Sequence, residues 1–154
     1  MSSTEKFDAY FESRISSPNG TAAHVMEFDQ LYYGLHEEIS QRQLDEDKAL
    51  LNSDPDVARW PQLQRELRTS VRLLTFDVTA CRYAAGLMRQ AAADLAMHYD
   101  EYEAWEKACD FSDRIHSKMR QLFNAVIAQV EFTVALRDRL EETSPVIPQT
   151  RLLN

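Results

Sequence analysis

The stretch CRYAAGLMRQAAADLAMHY, residues 81–99, decides how this sequence folds. It is rich in alanine, yet Arg82, Arg89 and Asp94 interrupt it. These charges leave no uncharged window of about 18 residues, so we predict that the stretch does not span a membrane. Alanine is the strongest helix former, which argues against a disordered low-complexity segment. We therefore predict a helix that packs closely against its neighbours.

Apolar residues in and before this stretch form two lines at alternating steps of four and three residues, a spacing typical of helix pairing. The first line comprises Leu67, Val71, Leu74, Val78, Cys81, Ala85, Met88, Ala92, Leu95 and Tyr99. The second comprises Leu73, Phe76, Ala80, Tyr83 and Leu87. A helix that is apolar on two sides has to be covered on two sides. We predict that it is the central helix or contacts a second subunit, with Ala85 and Ala92 at close contacts.

Proline-containing breaks define the other predicted helices, over about 4–16, 21–51 and 102–142, with the alanine-rich helix running from Pro61 to about Tyr99. In helix 21–51, Gly34 predicts a crossing neighbour. The predicted buried seam of that helix is Val25, Phe28, Tyr32, Leu35 and Ile39. The last helix has an apolar line made of Ile115, Met119, Leu122, Val126 and Thr133. That line is widened by Phe123, Ile127, Val130 and Val134.

These elements predict an all-α fold, an elongated antiparallel helical bundle with coiled-coil-like packing. It contains a short N-terminal helix and three long helices. The scarcity of glycine and proline, with 3 and 5 residues, favours long helices over turn-rich β structure. We predict a single bundle domain over residues 1–145 and an extended apolar tail over residues 146–154.

Charge and cysteine content narrow the class of protein. The formal net charge of −8 argues against a general binder of nucleic acid or of anionic membranes, both of which need a basic surface. Cys81 and Cys109 are too few for a disulfide scaffold and are typical of a reduced, cytosolic protein. The opening residues MSSTEKFDAYFESR have no basic region followed by an apolar run, so we predict no signal peptide. The expected location is the cytoplasm or a virion assembly.

The histidines His24, His36, His98 and His116 are the candidate metal ligands. None follows a glutamate in the Glu-x-x-His spacing by which helical bundles hold two metal ions, so we predict no metal and no cofactor. Cys81 lies in an apolar line and is expected to be unreactive. Gly-rich phosphate loops, G-x-S-x-G, C-x-x-C and His-Glu-x-x-His are all missing from the sequence. We predict no catalytic residues and a non-enzymatic protein.

The sequence favours a protein–protein interaction module: an adaptor, a chaperone or an assembly subunit, for example of a phage or secretion-type complex. We expect a homo-oligomer or a subunit of a larger assembly. The predicted contacts are Leu73, Phe76, Tyr83 and Leu87, unless another part of the chain covers them, and the tail residues Val146, Ile147, Leu152 and Leu153. One alternative is a bundle that binds a metal or small ligand through its histidines. A further alternative is an acidic inhibitor of a nucleic-acid enzyme.

Overall fold

The structure is a computed structural model that describes residues 5, 6, 8, 9, 22–48 and 55–143, with backbone only at 22–24 and 55–58. It contains three long helices, α1 (Ala22–Lys48), α2 (Pro55–Met97) and α3 (Tyr102–Glu142). No strand occurs in these ranges, and the predicted all-α class is confirmed. Residues 5, 6, 8 and 9 are helical, but the bounds of the predicted helix 4–16 lie outside the described residues, as does the tail 146–154.

The alanine-rich helix begins earlier than the sequence predicts. α2 starts at Pro55 and continues through Pro61, which costs one backbone hydrogen bond close to the helix start. A residue before a proline favours extended backbone, yet Trp60 is helical. Its indole Nε1 donates a 3.3 Å hydrogen bond to the carbonyl oxygen of Leu140. This contact with the end of α3 supports the helical conformation that the local sequence disfavours.

α2 and α3 form an antiparallel hairpin. Nε2 of Gln129 donates a 2.6 Å hydrogen bond to Oγ of Ser70, and the hydroxyls of Ser70 and Thr133 hydrogen-bond to each other. These contacts place Ser70 at the height of about residue 131 of α3. The short connection 98–101 joins the other ends of the two helices.

α1 packs across one side of this hairpin and contacts both of its helices. The ring of Tyr32 stacks on that of Phe76 of α2 with centroids 5.3 Å apart. On α3, Nζ of Lys118 lies 2.6 Å from Oδ1 of Asp29. The predicted seam of α1 is confirmed, because all five of its members are buried: Val25, Phe28, Tyr32, Leu35 and Ile39. On α3, Ile115, Met119 and Leu122 are buried as well.

The line along which α2 packs is not the first line predicted from the sequence. Val71 and Val78 are 47% and 45% exposed, and Ala92 is exposed, so the expected burial of the first line is wrong at these positions, whereas Cys81, Ala85 and Met88 of the same line are half-buried against the core. One set of buried positions recurs every seven residues, at Leu63, Ser70, Asp77, Ala84 and Ala91, beside the buried Phe76, Ala80 and Leu87 of the second line. Ser70 and Asp77 are polar, which hides this line from a pattern based on apolar residues. Close packing therefore falls at Ala84 and Ala91, while Ala85 is only half-buried.

Gly34 has no crossing neighbour. A Cβ atom built on it would meet nothing within 4 Å, and the residue is exposed. The predicted close approach at this position is wrong, because α2 and α3 both contact the opposite side of α1. The glycine is an exposed residue in the interior of a helix, where it weakens the helix relative to alanine.

Candidate interaction surface

The four α2 residues predicted to contact a partner lie on the side of α2 that α1 covers. Phe76 and Leu87 are buried in the core, and Leu73 and Tyr83 are half-buried against it. The hydroxyl of Tyr83 also donates a hydrogen bond to Asp8. The chain itself thus covers this side of α2. The prediction of a partner contact at these residues excluded this case. The predicted contacts of the tail, Val146, Ile147, Leu152 and Leu153, lie outside the described residues.

A different apolar surface lies on the side of the hairpin that faces away from α1. Val78 follows Phe76 by two positions, about 200° around the helix, so it points away from α1. Ile127 follows Lys118 by nine positions, about two and a half turns, and it also points away. We call this surface the outer face. Its exposed members are Val71, Val78, Phe123, Ile127, Val130 and Val134, each 40–58% exposed.

The outer face is arranged in layers across the two helices. Because Ser70 lies at the height of about residue 131, the antiparallel direction places each α2 residue level with one residue of α3. The resulting layers pair Leu67 with Val134, Val71 with Val130, Leu74 with Ile127, and Val78 with Phe123. Leu67 and Leu74 are half-buried. Above the last layer, α3 becomes polar at Arg120 and His116, which ends the apolar surface.

The described histidines do not converge. His36 is half-buried beside Tyr32, with ring centroids 5.8 Å apart. Nδ1 of His98 lies 3.9 Å from a carboxylate oxygen of Glu101. His116 is exposed, and its Nδ1 lies 2.8 Å from the carbonyl oxygen of Ser112. The side chain of His24 is outside the described part. Within that part, no group of three or more His, Cys, Asp or Glu residues is placed to hold a metal ion.

A buried polar pair links α1 to α2. The hydroxyl of Tyr32 donates a 2.6 Å hydrogen bond to Oδ1 of Asp77, which is 1% exposed. Burial raises the pKa of Asp77, although the hydrogen bond from Tyr32 and the nearby His36 oppose the rise. Burial, followed by the bond to Asp77, also raises the pKa of Tyr32 well above its ordinary value. Tyr32 therefore remains a neutral donor. The apolar pattern of the sequence does not indicate this pair, although Asp77 stands midway between Ser70 and Ala84 in the repeat of seven.

Both cysteines are free and half-buried. Burial raises the pKa of the Cys81 thiol, and the carboxyl group of Asp77 raises it further. The thiol is therefore protonated at neutral pH, and the protonated form is a poor nucleophile. This environment agrees with the expectation that Cys81 is unreactive.

A shallow cleft of about 310 Å³ lies between α1 and α3 around Lys118. Lys118 is 4% exposed, and besides its ion pair with Asp29 its Nζ lies 4.5 Å from the centroid of the Tyr33 ring. Asp113 and Arg114 also line the cleft. Two acidic and two basic side chains therefore balance each other there. The buried ammonium group is held by the protein's own carboxylate and aromatic rings.

No known protein family, curated protein or solved structure matches this chain. None of the helices in the described ranges is both long and apolar enough to cross a membrane.

Proposed function

We propose that this chain is a non-enzymatic protein–protein interaction module that binds a helical partner through the outer face. The observation that carries the proposal is the row of six exposed, large apolar side chains on two adjacent antiparallel helices. Contiguous apolar surface of this kind commonly marks an interaction site. The function classes that fit are an adaptor, a chaperone or an assembly subunit, for instance in a phage or secretion-type complex in the cytoplasm or a virion.

The spacing of the outer face specifies the shape of the partner. On α3, Phe123, Ile127, Val130 and Val134 recur at steps of four, three and four residues. On α2, Leu67, Val71, Leu74 and Val78 follow the same steps. Alternating steps of three and four keep side chains facing a neighbouring helix along its length. The partner surface is therefore helical, and the contact is coiled-coil-like within an elongated bundle.

The groups with shifted pKa values support a non-enzymatic role. Asp77 and Tyr32 bind each other in the core, and the Cys81 thiol is protonated. Burial of this kind favours the neutral form of a carboxyl or thiol group and keeps it from a substrate. The tail residues Val146, Ile147, Leu152 and Leu153 remain a proposed second contact. The alternatives of a histidine ligand site and of an acidic inhibitor gain no specific support from the placement of His36, His98 and His116.

Site-specific photo-crosslinking in the native source tests the proposed function. A photoreactive amino acid at Ile127 should capture a protein in a discrete adduct. The matched control is Leu44 of α1, a large aliphatic residue that is 54% exposed, compared with 58% for Ile127. We expect the adduct from Ile127 and not from Leu44. Equal labelling at the two positions, or none at Ile127 and Val78, would show that the outer face is not an interaction surface.

A further inference from the structure

We infer that the occupant of the outer face is a second copy of this chain, so that the protein is a homodimer. The inference rests on the proposed function, because the proposed interaction and the dimer use the same outer face. It adds the identity of the partner. Three properties of the outer face carry it: its area, its layers and the difference in bulk between its two helices.

The area of the outer face fits a dimer. Six large side chains at about half exposure present on the order of 500 Å² of apolar surface. A stable protein–protein interface covers about 800 Å² of each partner, of which about 60% is apolar, again close to 500 Å². Two outer faces in contact would therefore bury the apolar area that a stable dimer of standard size needs.

The layers of the outer face make it complementary to itself. We consider two copies whose outer faces contact each other across a two-fold axis parallel to the helices. This axis leaves the position of each residue along the helix direction unchanged, and it places α2 of one copy on α3 of the other. Val78 would then meet Phe123 of the second copy, and Val71 would meet its Val130. Each layer on one copy thus contacts the same layer on the other.

The sizes of the side chains on the outer face also favour contact between α2 of one copy and α3 of the other. The exposed α2 residues are valines, whereas the longest exposed side chains of the face, Phe123 and Ile127, both belong to α3. When α3 of each copy packs on α2 of the other, the bulky side chains of α3 lie against the smaller valines of α2. The two-fold axis repeats this contact, so it occurs twice in the dimer. Pairing α3 with α3 would instead bring the bulky residues of both copies together. The face therefore favours the arrangement in which unlike helices meet.

Sedimentation of the full chain tests the inference directly. We expect the wild-type protein to be a dimer at micromolar concentration and to remain so in high salt, because salt does not screen an apolar contact. The substitution Ile127→Lys should raise the dissociation constant at least about a hundredfold, because it places a charge within the contact. The control Leu44→Lys adds the same charge at similar exposure on α1 and should leave the dimer unchanged. Circular dichroism of both variants should show wild-type helicity.

Disulfide trapping tests which helices meet. With Cys81 and Cys109 replaced by serine, copies carrying Val78→Cys are mixed with tagged copies carrying Phe123→Cys. We expect the mixed disulfide between the two kinds of copy in preference to either self-disulfide. Preferential self-disulfides of Val78→Cys would show that like helices meet, and this would overturn the inferred arrangement.

Other occupants give distinct outcomes. A monomeric wild type at every concentration overturns the second copy. If Ile127 nevertheless captures another protein in cells, the proposed function stands without the dimer. If deletion of residues 146–154 converts a monomer into a dimer, the tail occupies the outer face in the intact chain, which also overturns the inference. A wild-type dimer that Ile127→Lys does not weaken would show that the dimer uses another surface.

Discussion

Tyr32 and Asp77 form a direct hydrogen bond between α1 and α2 in a core that is otherwise mainly apolar. The distance is 2.6 Å and both side chains are buried, whereas a second polar contact between the same helices, from Nε of Arg65 to Oδ1 of Asp47, is longer at 3.6 Å and more exposed. A buried acceptor needs its donor, because an unsatisfied polar group keeps its full desolvation cost. The pair therefore holds α1 at one position along the hairpin.

Removing the donor should destabilise the protein. The substitution Tyr32→Phe keeps the ring but leaves the carboxyl group of Asp77 without its hydrogen bond, and we expect the free energy of unfolding to fall by about 1–3 kcal/mol. Asp77→Asn keeps an acceptor and removes the charge, so it should be at least as stable as the wild type at neutral pH. Urea titrations of both variants provide the measurement. A Tyr32→Phe variant with wild-type stability would show that Asp77 has another donor.

The stability of the fold should depend on pH through Asp77. Its pKa is raised in the folded protein, chiefly by burial, so the folded state binds this proton more tightly than the unfolded chain does. The free energy of unfolding should therefore fall as pH rises from the unfolded pKa to the folded pKa, and stay level above it. The difference in unfolding free energy between wild type and Asp77→Asn, measured across this window, isolates the effect. A difference that grows in favour of the wild type with rising pH contradicts the assignment.

Close packing at two alanines should make them intolerant of larger residues. Ala84 and Ala91 are fully buried, so Ala84→Leu or Ala91→Leu should cost about 1–3 kcal/mol of stability. Ala92 is the matched control, because it is adjacent to Ala91 in the same helix but exposed. Ala92→Leu should leave the melting temperature of the isolated chain nearly unchanged. Equal losses at Ala91 and Ala92 would mean that the rotation of α2 differs from the one described.

Gly34 offers a simple way to stabilise the protein. Its backbone is helical and space is open around it, so Gly34→Ala adds a methyl group without a clash. We expect a gain of about 0.5–1 kcal/mol, because alanine loses less conformational entropy in a helix. Thermal unfolding followed by circular dichroism measures the gain. A lower melting temperature would indicate a neighbour at this position.

Apolar periodicity and the breaks between helices were enough to predict one buried seam and the bounds of one helix. The seam of α1 and the bounds of α3 agree with the prediction, the latter because Thr143 and Pro145 mark the helix end in the sequence itself. The start of α2 could not be predicted locally. Trp60 contacts Leu140, which lies far away along the chain, and a local pattern contains no information about that contact.

The candidate surface could be predicted only in part. Two apolar lines on α2 are visible in the sequence, but their spacing does not indicate which of them α1 covers. Buried polar residues determine which side of α2 faces the core. Ser70 hydrogen-bonds to Thr133 and Gln129, and Asp77 accepts a hydrogen bond from Tyr32. A hydropathy pattern treats such positions as exposed. The line with the more regular apolar spacing was therefore expected inside, although its members Val71 and Val78 lie exposed on the outer face.

The repeat of seven in α2 has a consequence for how the long hairpin aligns. Sliding α2 by one repeat would bring Ala91 to the position of Ala84, so these two buried alanines do not by themselves distinguish the two alignments. The same shift would remove Ser70 from Gln129 and Asp77 from Tyr32, leaving buried polar atoms without partners. At about 1–3 kcal/mol for each such atom, shifted pairings become rare. The serine and the aspartate thus fix the alignment, and the double substitution Ser70→Ala and Asp77→Leu should let the helices pair in more than one registry even if the protein melts at a higher temperature.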